Sequence, residues 1–229
     1  MAPSHQHQAA NRDPHAHQPV LSAGPVPESA DATMILLHGR GASADDILGV
    51  YGALGMPNVA ALAPEAAGHT WYPYSFLVPL GANQPYLDSA LDRIESLVND
   101  LLARNIPSHR IVLIGFSQGA CLTTEFVARH PRRYGAAIAF TGGLIGPDGT
   151  PRNYPGSLDG TPVFLGASDP DPHVPFSRVQ ETKTVLARMG AAVQLRGYPG
   201  MPHTINDDEL DAARTLLKIA LAPDQDKRP

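Results

Sequence analysis

Apolar residues along this chain fall into two alternating periods. Short runs almost without polar interruption occupy 33–37, 59–62, 110–115, 136–140, 162–165 and 193–197. Longer stretches between them, 44–51, 86–104, 118–129, 177–189 and 207–221, place apolar residues every three or four positions. The first pattern predicts strands and the second amphipathic helices. The clearest helix is 86–104, where Leu87, Leu91, Ile94, Val98 and Leu101 form one stripe. The run Ile111-Val112-Leu113-Ile114 has no face left for water, as expected of a central strand in a parallel sheet covered on both sides. Strands and helices in alternation predict an α/β fold. Between the second and third of these units, 68–83 breaks both periods. It carries Trp71, Tyr72, Tyr74, Phe76 and Leu77 with two prolines and reads as a long apolar loop.

The first seventeen residues show neither period and hold His5, His7, His15 and His17 among Gln, Ala, Asn and Pro. They are expected to form a flexible tail, followed by one domain over 18–222 and a second flexible tail over 223–229. Two His-x-His pairs are potential metal ligands, but no cysteine or carboxylate cluster completes a site around them, and no metal is expected. The chain has 229 residues, 43% hydrophobic and 17% charged, which excludes wholesale disorder and suits one core. Lysine and arginine total 17 against 22 acidic residues, for a net charge of −5, the wrong sign for binding nucleic acid. No apolar run reaches the ~18 residues of a membrane span, and the N-terminus lacks the apolar core of a secretory signal. A soluble, cytoplasmic protein is expected. The single Cys121 can form no internal disulfide; four residues after Ser117, it reads as a buried apolar residue.

The strongest chemical signal is Gly115-Phe116-Ser117-Gln118-Gly119, set between the most buried strand and the helix that opens at Gln118. A Gly-x-Ser-x-Gly string in that context is a nucleophile elbow. The sharp turn lifts Ser117 clear of the backbone, and the Gln118 N–H, at a helix N-terminus, is placed to hold an oxyanion. An attacking serine needs a base, and the base a carboxylate; these follow the serine in the order acid, then histidine. His203, in the turn between the last strand and last helix, is the expected base, ahead of His173. Asp169 and Asp171 both leave the strand ending near Leu165, and either could orient the imidazole. The second oxyanion donor is expected from the loop after the first helix-bounded strand, His38-Gly39-Arg40-Gly41, with the Arg40 N–H as donor. The Arg40 side chain could meet an anionic substrate or simply be solvated, and His38 is expected to brace the loop. Trp71, Tyr72, Tyr74, Phe76 and Leu77 are the expected apolar wall of a substrate pocket.

Four segments together resemble the phospholipase/carboxylesterase group of α/β-hydrolases, which includes the acyl-protein thioesterases: Leu37-His38-Gly39-Arg40-Gly41, Gly115-Phe116-Ser117-Gln118-Gly119-Ala120, Asp171-Pro172-His173-Val174-Pro175 and Gly200-Met201-Pro202-His203. Two positions depart from the group's pattern, Ser168 and Pro202, each standing where glycine is usual. The resemblance implies an α/β-hydrolase fold with a mostly parallel sheet, helices on both faces and no large lid. Alignment on Pro172 and Val174-Pro175 assigns the acid to Asp171. The implied activity is hydrolysis of carboxylic esters with small to medium acyl or aryl groups, thioesters and lysophospholipids included, without a cofactor and often in a homodimer. A catalytically silent fold of this type, binding a small ligand, is the alternative.

Overall fold

A computed structural model describes residues 13–222. Seven strands form one sheet: β1 (Val20–Ala23), β2 (Ala32–Leu37), β3 (Val59–Pro64), β4 (Ile111–Phe116), β5 (Ala136–Phe140), β6 (Pro162–Asp169) and β7 (Ala192–Pro199). Five helices connect or follow them: α1 (Ala44–Leu54), α2 (Tyr86–Ala103), α3 (Gln118–Arg129), α4 (Phe176–Arg188) and α5 (Asp207–Ala220). The spatial order of strands is β1-β3-β2-β4-β5-β6-β7, parallel throughout except that β1 runs antiparallel to β3.

Alternation along each strand sorts side chains to two cores. Ile111 and Leu113 of β4 join a core with α2, α3 and α4, while Val112 and Ile114 join a second with α1 and α5. This is the two-faced α/β-hydrolase arrangement expected from the sequence. The chain passes from β2 outward to β3 and then back across to β4, so connections leave neighbouring β2 and β4 in opposite directions. A crevice opens at the carboxyl ends of strands where that reversal occurs, the usual ligand position in open α/β sheets. His38–Gly41 follows β2 and Ser117 follows β4, so both border it.

Three departures from the sequence expectations have physical causes. Strand β1 is missing from them because four half-exposed edge residues carry too little periodicity. Strand β6 runs four residues further than 162–165 because pairing with β7 continues from Gly166↔Arg196 to Asp169↔Pro199, through small residues that read as a loop. The third concerns the tail. Residues 1–12 and 223–229, with His5 and His7, lie outside the described residues, but His15 is fully buried, which corrects the assignment of all of 1–17 to a flexible tail. Its backbone N–H donates to Ser89 Oγ at 2.9 Å, its Nε2 meets the Trp71 carbonyl at 3.0 Å, and its Nδ1 accepts from the Ala67 N–H at 3.0 Å. His38, buried as well, accepts from the adjacent Ala66 N–H at 3.1 Å. The two imidazoles lie on the Trp71 ring with centroids 5.4 and 5.0 Å away. Burial lowers the pKa of both, which suits the acceptor role each plays.

Helix α5 opens with a capping box in which Asn206 and Glu209 satisfy each other's backbone N–H groups. Glu209 is fully buried, and its Oε1 abuts Gly166 with no hydrogen-bond partner among the described residues. Burial pushes its carboxyl up to about 7, against the opposing pull of the Asn206 N–H. A carboxyl raised above its unfolded value stabilises the fold fully only below that value, and the contribution is lost as pH rises through 7. The stability of Glu209→Gln relative to the parent should therefore improve by up to ~3 kcal/mol between pH 4.5 and 8, as urea melts at the two pH values would show.

Candidate active site

The turn from β4 into α3 forces Ser117 to φ 54° and ψ −115°, a left-handed conformation that costs a non-glycine residue about 1–3 kcal/mol. Glycine on either side makes the turn possible. A Cβ on Gly115 would collide with the Gly119 carbonyl, and one on Gly119 with the carbonyl of Leu37 in β2. The Ser117 N–H is held by the Phe140 carbonyl at 2.9 Å, fixing the turn to β5.

Ser117 Oγ lies 2.8 Å from His203 Nε2, and His203 Nδ1 lies 2.7 Å from Asp171 Oδ2. Three residues far apart in sequence thus form one hydrogen-bonded chain. A carboxylate only accepts, so Nδ1 carries the proton and Nε2 is left to accept from the serine hydroxyl. Asp171 also receives the His173 and Val174 N–H groups on Oδ1, both at 2.8 Å, and the Ser168 hydroxyl on Oδ2 at 2.6 Å. Burial raises its pKa, but the bonds from Ser168, His203, Val174 and His173 outweigh burial and bring it to about 2. It is ionised at any pH near neutrality. Asp169 ends β6 as an exposed residue and makes no hydrogen bond to His203. His173 is not the histidine that meets the serine; its ring stands edge-on to His203 with centroids 4.9 Å apart.

Gly39 packs against the elbow, since a Cβ there would sit 3.4 Å from Ser117 Cβ, and this brings the Arg40 backbone beside the serine. The Arg40 N–H has no hydrogen-bond acceptor among the described residues. The Gln118 N–H opens α3, where no helical carbonyl is available to it. The Arg40 side chain is neither solvated alone nor free for an anion: it is bonded to the loop at 70–74.

A cavity of about 470 Å³ opens over Ser117 and His203, within the usual range for small-molecule sites. Tyr72, Tyr74 and Phe76 line it as expected, joined by Phe116 and Val174. Trp71 and Leu77 do not. Trp71 turns into the core, with its indole N–H on the His38 carbonyl at 2.9 Å, and Leu77 is half-buried against the α2 side of the sheet. Residues 72–76 line the cavity together while the flanking Trp71 and Leu77 turn away, a boundary that a run of apolar letters does not reveal. Cys121 borders the cavity floor, but burial pushes its thiol up to about 12, leaving no thiolate for chemistry. Ser168 and Asn83 were not anticipated. The signals for Ser168 are its departure from the usual glycine and its place three residues before Asp171; Asn83, which takes the Tyr74 N–H and donates to the Ser75 carbonyl, gives none.

Known proteins are similar to this chain in sequence and in fold. Residues 25–221 match the sequence model of the phospholipase/carboxylesterase family. A phospholipase/carboxylesterase of known crystal structure from Dyadobacter fermentans is 46% identical, covers 87% of this chain and 96% of its own, and superposes with a TM-score of 0.84. A probable carboxylesterase from Oryza sativa is 29% identical over 155 residues, 66% of this chain and 58% of its own length. Acyl-protein thioesterase 1 from Debaryomyces hansenii is 27% identical over 132 residues, 57% of each. The alignments span a little under three fifths of the length of these two curated relatives. A Bacillus cereus carboxylesterase structure, 18% identical with a TM-score of 0.71, shares the fold. Among the described residues no helix is long and apolar enough to cross a membrane. On the family model and the Dyadobacter structure together, this chain belongs to the phospholipase/carboxylesterase family of α/β-hydrolases.

Proposed function

We propose that this protein is a serine hydrolase that cleaves carboxylic esters through an acyl-enzyme. The observation that carries the reading is the relay from Ser117 Oγ through His203 to Asp171, with contacts of 2.8 and 2.7 Å. His203 takes the Ser117 proton as Oγ attacks the ester carbonyl, and the Asp171 carboxylate stabilises the imidazolium that forms. The developing oxyanion is held by the Arg40 and Gln118 N–H groups. His203 then gives its proton to the departing alkoxide, leaving an acylated Ser117. Water, deprotonated in turn by His203, attacks the acyl carbonyl; collapse of the second tetrahedral intermediate releases the acid and returns the proton to Ser117.

The walls of the cavity are aromatic and aliphatic, and the one arginine beside it is engaged with the loop. Neutral esters with small to medium acyl or aryl groups fit that chemistry. Thioesters fit the same reaction, since a thiolate leaves at least as readily as an alkoxide.

A fluorophosphonate probe, followed by peptide mass mapping, tests the activated serine, and p-nitrophenyl esters from acetate to octanoate beside a matched thioester series test the substrate. The expected result is one phosphonylated peptide carrying Ser117 and turnover that favours the shorter chains. An unlabelled protein without turnover would instead indicate the silent, ligand-binding form of the fold.

A further inference from the structure

The two residues assigned to the oxyanion hole through their backbones use their side chains elsewhere, on one and the same loop. Arg40 Nη1 donates to Thr70 Oγ1 at 3.1 Å and to the Pro73 carbonyl at 2.8 Å, and Nη2 donates to the Tyr74 carbonyl at 2.7 Å. Its guanidinium carbon lies 5.9 Å from the Tyr72 ring centroid. Gln118 holds the neighbouring stretch, accepting the Trp71 N–H at 2.9 Å and donating to the Tyr72 carbonyl at 2.8 Å. Between Trp71 and Tyr74, these two side chains take one backbone N–H and three carbonyls. That stretch has no sheet or helix ladder of its own, so its backbone groups depend on such partners.

We propose that Arg40 is a positioning residue that locks the aromatic wall of Tyr72 and Tyr74 to the oxyanion loop, and thereby sets how well the cleft accepts a bulky aromatic group on the ester. The inference rests on the esterase reading above. A guanidinium suits the task because its planar donors diverge at fixed angles and can meet three acceptors and a ring face together, whereas an ammonium is a compact point charge. The wall and the oxyanion donor then move as one piece. A substrate group that packs on Tyr72 or Tyr74 is registered against the Arg40 N–H through the same residue, and displacement of the wall misplaces bound ester relative to Ser117.

The test compares the parent with Arg40→Ala and Arg40→Lys on methyl acetate, phenyl acetate and methyl benzoate, the last two carrying the ring on either side of the ester. Hydrogen exchange of residues 70–76 is measured alongside. In Arg40→Ala, kcat/KM for at least one aryl ester should fall about tenfold further than for methyl acetate, with a raised KM from the lost ring contact and a lowered kcat from the misplaced ester. Exchange in 70–76 should quicken about tenfold while β4 is unchanged. Arg40→Lys should recover part of both effects, since one ammonium still reaches a carbonyl. Equal loss on all three esters, or exchange in 70–76 at the parent rate, overturns the proposal. If the parent hydrolyses none of the esters, the esterase reading fails on its own account; the role of Arg40 in holding the wall then stands or falls on the exchange result.

Discussion

Replacing Ser117 with alanine should reduce ester turnover by roughly 10⁴- to 10⁶-fold and abolish phosphonylation, while leaving the melting curve almost unchanged. The size of the kinetic effect follows from the bond the hydroxyl makes: among the described residues Oγ meets only His203 Nε2, and without it no nucleophile stands over the proposed oxyanion donors. Residual catalysis would come from bound ester and water beside an intact hole. The small thermodynamic effect has the same origin. The hydroxyl is half-exposed and supports no other part of the fold, and alanine keeps the Cβ in the same left-handed backbone, so the change should lie within about 0.5 kcal/mol. Glycine at this position would also relieve the positive φ. Parent-like turnover in Ser117→Ala, measured with p-nitrophenyl acetate, would remove Ser117 from the reaction.

Asp171→Asn should be nearly as damaging, at about 10⁴-fold in kcat, with Asp169→Asn within a few-fold of the parent. Four donors converge on the Asp171 carboxylate: the His173 and Val174 N–H groups, the Ser168 hydroxyl and the His203 ring. An asparagine carbonyl would take the two backbone N–H groups and turn its amide nitrogen, a donor, toward His203 Nδ1. The imidazole would then carry its proton on Nε2 and point it at Ser117, the tautomer that cannot act as base. The carboxyl sits at about 2 in the native chain, so it stabilises the fold above its unfolded value near 3.8 and loses that contribution only as pH falls through 2. Activity lost on mild acidification therefore does not come from protonating Asp171. The assay is kcat for both variants on one ester at neutral pH; a collapse in Asp169→Asn with Asp171→Asn intact would move the role to Asp169.

What the sequence made legible tracks the strength of local periodicity and of local constraint. Helix 118–129 and strand 136–140 coincide with α3 and β5, because each is bounded by sharp signals, the elbow before α3 and a polar break after β5. Ser117 and Gln118 followed from a motif whose geometry is imposed within five residues. Choosing between Asp169 and Asp171 needed an alignment, because two acids spaced by one proline look alike until the chain beyond β6 turns. The wall was legible only as a composition. Residues 72–76 line the cavity together, polar and apolar alike, and Trp71 belongs to a buried stack between His15 and His38 that joins segments 56 and 33 positions apart. Asn83 and the Arg40 guanidinium bond to backbone atoms of an irregular loop, and Ser168 bonds to the Asp171 carboxylate three residues on; no periodicity encodes such bonds.

The buried His15 also bears on how shortened versions of this polypeptide would behave. A histidine-rich leader invites trimming, and Gln18 is a tempting new first residue. That cut would take away the acceptor for the half-buried Ala67 N–H and the donor for the buried Trp71 carbonyl, just upstream of the proposed substrate wall. Each orphaned group would cost about 1–3 kcal/mol unless water entered to replace the ring. Production of the protein for any assay should accordingly begin at or before Asp13.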